Sequence, residues 1–421
     1  MHPLRLSIAC TLLGLFLATP AYAGWSSKGE LAVEGRVFLD DDNDTTIDQG
    51  IGMMGRLQID HRHKAFKERL RMYGRLDQQD PARTILVIEE AWAQWKFKPF
   101  KLKVGYDLLN WTATEAFHPA DIFNSRNLDS DLQNYEKLGE LMVSLSAKTA
   151  LGNFTLYHMP TFTQPILPSP ASRLSFSPGQ EFAVSRLNAS GKITDQWFAP
   201  QFGLRWRYAF DNADISLHGI HHQDRSQPTV IVVDNAPSAL FQTVTQVGGT
   251  YQHVVDAFIL KVEAAWRIFH KPSEEDQGIV FLDGSNGRPD HGRVAFGLEY
   301  GLAHEAGSES TLLVEAQSLV GTSRETAALL DTFQADVLLG YRFAFNDVAS
   351  TSFIISGIAD VENLDEFIGS FSCERRFGET WIAKASVRIL HTEEATNLLE
   401  AKPLQRIGKS DHISLQITRH F

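Results

Sequence analysis

The fold of this chain is decided by its C-terminal stretch, Asp411-His412-Ile413-Ser414-Leu415-Gln416-Ile417-Thr418-Arg419-His420-Phe421. In an extended strand, successive side chains point to opposite faces. One face of this stretch therefore carries the apolar residues Ile413, Leu415, Ile417 and Phe421. The other face carries the polar residues Ser414, Gln416, Thr418 and His420. Such a strand needs a neighbouring strand for its backbone groups, and a protein core or lipid behind its apolar face.

The last residue of this strand is informative by itself. An alternating final strand that ends on a C-terminal Phe resembles the end of bacterial outer-membrane β-barrel proteins. In those proteins the terminal residue is read as an assembly signal, so the resemblance implies that the barrel assembly machinery is a partner and recognises Phe421. The alternative is an ordinary edge strand of a soluble protein.

The N-terminal end has the features of an export signal. Arg5 supplies a short positive region, Leu6 to Thr19 is apolar, and Ala21-Tyr22-Ala23 is a cleavage site of small residues. The alternative, a transmembrane anchor, needs roughly twenty apolar residues, and this run is shorter. We therefore predict that residues 1–23 are a cleaved signal peptide.

Composition fits an exported barrel. Hydrophobic residues make up 43% of the chain, which a transmembrane barrel can have because only every second strand residue faces lipid. The net charge of -12 argues against a nucleic-acid partner. Cys373 is the only cysteine after the predicted signal peptide, so no internal disulfide framework is expected. No cofactor is expected.

Alternating segments continue along the rest of the chain, and short and long connections take turns between them. Short connections with turn-forming residues fall at Lys98-Pro99, Leu151-Gly152, Asp211-Asn212, Val255-Asp256, Asn346-Asp347 and Gly378-Glu379. We count about eighteen strands, an even number typical of outer-membrane barrels. The pattern predicts that residues 24–421 form a single all-β domain, a transmembrane antiparallel up-and-down β-barrel with long external loops. Pairing the strand at Glu30 with the final strand would remove both edges of the sheet. Such edges are not tolerated in hydrocarbon because their backbone N–H and C=O groups would have no hydrogen-bond partner.

Aromatic residues distinguish this barrel from a soluble sandwich. They gather at strand ends beside the predicted short turns, at Trp95, Phe97, Tyr208, Phe210, Tyr341, Phe343 and Trp381. A lipid–water interface explains this placement, whereas the surface of a soluble sandwich does not.

The opposite faces of these strands are rich in basic residues. We predict that the following residues line the lumen: Arg36, Arg56, Lys67, Arg69, Arg71, Arg75, Lys101, Lys103, Arg205, Arg207, Lys384 and Arg388. Fewer acids should face them, among them Glu34, Asp60, Glu90, Glu263, Glu299, Glu315 and Asp336. Basic rings in a pore raise the local concentration of anions. The alternative is that these charges pair across strands and only keep the lumen wet.

One long connection carries a second resemblance. It includes Trp111, Pro119-Ala120-Asp121 and Asn124-Ser125-Arg126, and it follows the strand end Val104-Gly105-Tyr106. This segment is similar to one in large porin-like outer-membrane families, including alginate-export-type channels. The resemblance implies that the loop folds into the barrel and narrows it, with Asp121, Asn124 and Arg126 near the constriction. The alternative is an exposed loop with a capped turn at Pro119-Ala120-Asp121.

An acidic run near the N-terminus raises the question of a metal site. Its carboxylates, Asp40, Asp41, Asp42, Asp44 and Asp48, have a spacing close to that of calcium loops. The run lacks the Gly and the final Glu of an EF-hand. We therefore expect a solvated acidic loop and no metal, with divalent-ion binding beside lipopolysaccharide as the alternative.

The function expected from these features is an integral channel of the bacterial outer membrane, for passive or facilitated diffusion of small polar solutes, with anions favoured. Outer-membrane lipid and lipopolysaccharide are expected partners. Whether the protein forms a homo-oligomer is left open by the sequence. Only residues 24–29 separate the cleavage site from the first strand, so a plug domain is not expected.

One alternative is a barrel enzyme of the lipase, protease or deacylase type, for which His222 beside Asp224 could be half of a base. No Gly-x-Ser-x-Gly stretch accompanies that pair. The other alternative is a barrel scaffold that encloses partner proteins.

Overall fold

The computed structural model describes residues 24–42, 46–130, 135–175, 181–188, 190–225, 228–233, 236–273, 280–281, 287–394 and 401–421. The predicted signal peptide lies outside these residues, as does Asp44 of the acidic run.

Eighteen antiparallel strands form one sheet. In chain order they are β1 (Trp25–Phe38), β2 (Gln49–His63), β3 (Phe66–Asp77), β4 (Ile85–Phe97), β5 (Phe100–Asp107), β6 (Glu140–Thr149), β7 (Gly152–Thr161), β8 (Phe198–Ala209), β9 (Ala213–Gln223), β10 (Thr243–Val255), β11 (Phe258–Phe269), β12 (His291–Ala303), β13 (Glu309–Val320), β14 (Ala335–Ala344), β15 (Ser352–Asp360), β16 (Phe367–Phe377), β17 (Trp381–His391) and β18 (His412–His420). The predicted all-β class and strand number are confirmed.

The sheet closes between its first and last strands. β1 pairs with β18 in antiparallel register, with Val33 opposite Ile417. At the end of this seam, the backbone N–H of Gly29 donates to the carbonyl of Phe421 at 2.9 Å, and the N–H of Phe421 donates back at 3.0 Å. Closure therefore leaves the barrel without the open edge that hydrocarbon would penalise.

Short turns join the strands at one end of the barrel and long connections join them at the other. Several short turns need left-handed backbone, for example at Asp256 (φ 53°), Asn346 (φ 52°) and Gly378 (φ 63°). Asn, Asp and Gly are the residues that adopt this conformation most readily, so the sequence marks these turns directly.

The long connections carry further short elements. Five strands form a separate sheet among them: Ala183–Leu187, Ile193–Thr194, Thr229–Val233, Ala236–Phe241 and Val280–Phe281. A two-stranded pair, Arg126–Asn127 with Glu136–Lys137, belongs to the connection after β5. The helices are α1 (Arg324–Leu330), α2 (Pro403–Arg406) and a 3₁₀ turn at Pro81–Arg83. No helix within the described parts of the chain is long and apolar enough to cross a membrane.

The outer face of the sheet is apolar and exposed. Along β14, Leu339 has 61% of its surface exposed, whereas its neighbour Leu338 is buried inside. The same alternation exposes large apolar side chains around the barrel, including Val33, Leu86, Leu156, Phe202, Leu217, Val247, Phe296, Ile355 and Leu415. Trp95, Phe97, Phe210 and Trp381 are exposed beside the short turns. Water would not favour such a surface, but a lipid slab with interfacial aromatic residues does.

A charge placed on this outer face should weaken the barrel. We expect Leu339→Arg to lower the free energy of unfolding by about 2–4 kcal/mol, because the guanidinium would lie in hydrocarbon. Urea titrations of the protein folded in lipid vesicles measure this change. Leu364→Arg is the matched control, because Leu364 is exposed in the connection between β15 and β16. Equal losses in the two variants would contradict a lipid-facing β14.

Candidate functional site

The charged residues predicted for the lumen all lie on the inner faces of their strands. Arg36 lies inside β1 while Val33 and Val37 are exposed outside it, and Arg205 lies inside β8 while Phe202 and Leu204 are exposed. The same alternation places the others inside: Arg56, Lys67, Arg69, Arg71, Arg75, Lys101, Lys103, Arg207, Lys384 and Arg388. The inner wall of the barrel is therefore the candidate functional surface.

The basic ladder on β3 is held by carboxylates. Arg69 pairs with Asp60 at 2.7 Å, and Arg75 pairs with Glu34 at 3.1 Å. Arg71 reaches Glu89 at 2.8 Å. These bonds fix the guanidiniums in place, since charge-assisted pairs have the most restrictive geometry.

Glu89 is a residue of the inner wall that the sequence pattern missed. The register between β3 and β4 shifts after Arg71, which marks a bulge in β4. A bulge turns two consecutive side chains to one face, so both Glu89 and Glu90 are buried inside. Strict alternation allows only one of them to face inward. The adjacent pair of glutamates was the only signal in the sequence.

Eight of the other predicted lumen residues fall into two groups. Four form ion pairs. Arg36 pairs with Glu34, and Arg56 pairs with both Glu30 and Glu89. Lys103 pairs with Asp107, and Arg207 pairs with Asp214. Within the described ranges, four bases form no salt bridge: Lys67, Lys101, Arg205 and Lys384. Part of the basic charge is therefore neutralised by pairing across strands, and part remains to attract anions, so each of the two predictions for the lumen has support.

The described residues of the connection between β5 and β6, 108–130 and 135–139, lie inside the barrel; we call them the inward segment. A carboxylate on β11 binds its backbone: Glu263 accepts hydrogen bonds from the N–H groups of Ala113, Thr114 (3.0 Å) and Ala120 (3.1 Å). On β13, Glu315 accepts from the N–H groups of Glu115 and Ala116, the latter at 2.9 Å. The alternation in the sequence predicted that Glu263 and Glu315 face the lumen but not that they anchor a segment.

Apolar side chains fix the inward segment against the wall. Phe117 packs into a buried cluster with Leu338, Ile358, Ile368 and Leu404, on the side of β14 to β16. At the other end of the segment, Trp111 and Phe123 pack with Met142, Met159 and Ile220. The guanidinium of Arg205 lies 4.8 Å from the Trp111 ring. This part of the lumen is therefore a packed core.

The three residues predicted near the constriction are brought together in the inward segment. Asp121 pairs with Arg126 at 2.9 Å and with Lys137 at 2.6 Å. Asn124 is buried, accepts from the N–H of Leu109 at 2.8 Å and donates to the carbonyl of Asp107. These bonds tie the two ends of the segment together.

Two titratable groups of this segment have shifted pKa values. Burial alone would raise the pKa of the Asp121 carboxyl, but Arg126 and Lys137 hold it below its ordinary value. Burial lowers the pKa of the His118 imidazole to about 4. At neutral pH, Asp121 is therefore ionised and His118 is neutral.

A cavity of about 290 Å³ separates the inward segment from the opposite wall. It is lined by the bases Arg36, Arg75, Arg83, Lys384 and Arg388, by the acids Glu34, Asp129 and Glu136, and by polar residues that include Ser386, Ser410, His412, Ser414 and Gln416. Bases therefore outnumber acids, five to three, around this part of the lumen.

His222 and Asp224, the two residues considered as half of a catalytic base, have other partners. His222 is buried and its Nδ1 lies 2.6 Å from the carbonyl of Gln223. The Asp224 carboxylate lies 3.5 Å from Arg288. Of the acidic run, Asp42 and Asp48 pair with Arg173. Among the described residues, no group of three or more His, Cys, Asp or Glu is placed to hold a metal ion.

No protein-family model matches the chain, and no curated protein does. Solved structures share its fold. The crystal structure of Pseudomonas aeruginosa OccD3 (OpdP) matches with a TM-score of 0.52 at 11% identity, over 96% of this chain and 93% of that one. Pseudomonas aeruginosa OccK5 (OpdH) matches with a TM-score of 0.51 at 12% identity, over 94% and 98%. Identity this low shows the fold alone.

The closed barrel and its apolar outer belt define the class of protein. The chain is a closed transmembrane β-barrel with the fold that these solved structures share.

The anchoring of the inward segment can be tested at Glu263. We expect Glu263→Ala to release residues 112–122, because several buried N–H groups would lose their acceptor, at about 1–3 kcal/mol each. Limited proteolysis should then cut the segment while the barrel stays folded. Glu263→Gln keeps one acceptor oxygen and should protect the segment better than Glu263→Ala. Asp60→Ala is the control, because Asp60 contacts Arg69 rather than the segment. A segment that resists protease in Glu263→Ala would contradict the anchoring.

Proposed function

We propose that the protein is a diffusion channel for small polar solutes that favours anions. The observation that carries this proposal is the cavity between the inward segment and the wall, where five bases and three acids surround water-accessible space. A barrel of this strand number is too wide for side chains alone to fill. The inward segment reduces the lumen to a passage in which individual side chains act on the solute.

The basic ladder supports the preference for anions. Lys67, Arg69, Arg71 and Arg75 follow one another along the inner face of β3, so a solute would pass one cation after another. Their acidic partners reduce the field but do not cancel it, because Lys67, Lys101 and Lys384 form no salt bridge within the described ranges. A low-dielectric wall strengthens the remaining field in the passage.

The alternatives to a channel find less support. A scaffold for partner proteins needs a lumen free to hold a second chain, whereas the inward segment occupies part of it. For a barrel enzyme, Asp224 would have to orient His222, but Asp224 contacts Arg288 and lies 4.0 Å from Arg267.

Planar-bilayer recordings test the proposal. We expect a stable conductance, and in a salt gradient a reversal potential of the sign that indicates anion permeation. The potential should decrease as ionic strength rises, because salt screens the wall charges. Absence of conductance would refute the channel. Conductance with cation selectivity would refute only the preference for anions.

A further inference from the structure

Three polar side chains lie together on the largely apolar outer face of the barrel. They are His221 on β9, Thr245 on β10 and His270, which follows β11; we call them the outer polar group. The alternation places His221 and Thr245 outside, because Leu217 and Val247 on the same faces of β9 and β10 are more than half exposed. Nδ1 of His221 lies 3.0 Å from Oγ1 of Thr245, and the ring centroids of His221 and His270 are 5.2 Å apart. The three side chains therefore act as one group.

The outer polar group lies at the end of the barrel where the long connections begin. β9 ends at Gln223, β10 begins at Thr243 and β11 ends at Phe269, so each member is within two residues of a strand end. In bacterial outer-membrane barrels the long connections face the outside of the cell. Hydrocarbon penalises imidazole and hydroxyl groups, so the outer polar group marks the level at which the acyl chains of the external leaflet give way to head groups.

Two shallow apolar grooves adjoin on the outer face below this level. The first has a volume of about 570 Å³, includes His221 and Thr245 in its lining, and continues over Leu204. The second has a volume of about 670 Å³ and continues along β10 to Tyr251, toward the middle of the barrel. Val247 lines both grooves and lies where they meet. A path of apolar surface therefore leads from the outer polar group toward the interior of the membrane.

Small residues create these grooves. Gly219 lies in the first groove, and Gly249 and Ala264 lie in the second. A Cβ at Gly219 would meet Cγ1 of Val247 at 3.9 Å as its nearest atom among the described residues, so the space above this glycine is open. A lipid chain that lies in such a groove contacts protein on more than one side, which adds dispersion contacts that a flat strand face does not offer.

We propose that the outer polar group and the two grooves bind one molecule of lipid A, the membrane anchor of lipopolysaccharide. Lipid A fits because it belongs to the external leaflet and combines phosphate groups with several acyl chains. A phosphate accepts hydrogen bonds from His221, Thr245 and His270, all of which can donate. Acyl chains lie in the grooves on the two sides of Val247. The site rests on the outer-membrane location predicted for this barrel and not on conduction.

The lipid that stays bound to the barrel during purification tests the proposal. The barrel is extracted from outer membranes in mild detergent and studied by native mass spectrometry. We expect one retained molecule with the mass of lipid A or of lipopolysaccharide. A retained phospholipid in its place, or a folded barrel without retained lipid, would overturn the proposal. Neither result would affect the proposed channel, which planar-bilayer conductance tests by itself.

Filling the first groove should weaken the binding of lipid A. Gly219→Leu places a side chain where an acyl chain would lie, and it excludes about two methylenes of that chain. We expect the affinity of the delipidated barrel for added lipid A to fall about tenfold. Gly35→Leu is the matched control. Gly35 lies on the outer face of β1 between the exposed residues Val33 and Val37, and a Cβ there would meet no described atom within 4 Å. Equal affinities in the two variants would contradict binding in the groove.

Removing donors of the outer polar group should abolish the preference for a phosphorylated lipid. The double variant His221→Phe and Thr245→Val keeps a ring and a branched side chain at these positions but removes two donors. The wild type should bind lipid A about tenfold more tightly than dephosphorylated lipid A, and the double variant should bind both about equally. His391→Phe is the control and should keep the preference, because His391 is exposed on β17 at the same end of the barrel. An unchanged preference in the double variant would refute the role of the outer polar group.

Discussion

Deletion of residues 112–122 is expected to raise the single-channel conductance severalfold. These residues cross the lumen, where Glu263 and Glu315 bind their backbone and Phe117 fills the space beside β14 to β16. Without them, the passage should widen toward the full lumen of the barrel. Trp111 and Phe123 flank the deletion and their rings are in contact, with centroids 4.4 Å apart, so a flexible linker of glycine and serine replaces the deleted residues.

The design needs a control for general damage to the connections. Deletion of residues 362–365, in the connection between β15 and β16, removes chain at the same end of the barrel, and the hydrogen bonds and ion pair of these residues go to Asp360, Glu366 and Arg324 rather than to the inward segment. We expect this control to conduct like the wild type. Both variants should keep the resistance of the folded barrel to denaturation by detergent. A folded deletion of residues 112–122 with unchanged conductance would show that the passage is not narrowed there.

Reversing charges on β17 is expected to change the ion preference of the channel. Lys384 and Arg388 both line the cavity. In the double variant Lys384→Glu and Arg388→Glu, we expect the ratio of anion to cation permeability to fall about tenfold or more. At 7 Å in water, one unit of wall charge acts on an ion with about 0.6 kcal/mol. A change of four units gives about 2.4 kcal/mol, and salt at about 0.1 M roughly halves it.

Reversal potentials measured in a salt gradient determine this ratio. The matched control is Arg324→Glu with Arg375→Glu, because this pair carries the same charge change at exposed positions that are not on the inner wall. The control should shift the ratio little. A similar shift in both double variants would mean that the net charge of the protein, rather than the wall of the cavity, sets the preference.

Most of the fold was predictable because it depends on local alternation. Lipid outside and water inside impose a period of two on every strand, so the faces of β8 or β18 can be read from a few residues. The same alternation placed Arg36, Lys67 and Lys384 on the inner wall. Turn residues such as Asn346 and Gly378 marked the short connections.

The partners of the charged residues were less predictable. Alternation gives the face of Arg71 but not the bulge that brings Glu89 to it. It placed Glu263 in the lumen, but its backbone partner Ala113 is 150 residues away in the chain. Such contacts depend on where a long connection folds, which no local pattern encodes.

The sequence by itself determined that the chain is a transmembrane barrel, about how many strands it has, and which face of most strands points to its interior. These features follow from the requirement that each strand satisfy lipid on one face and water on the other. Only the tertiary structure decided how much of the lumen the inward segment fills and which carboxylates pair with the bases of the wall. These features depend on contacts between segments far apart in the chain, whose geometry exists only once the barrel has closed around them.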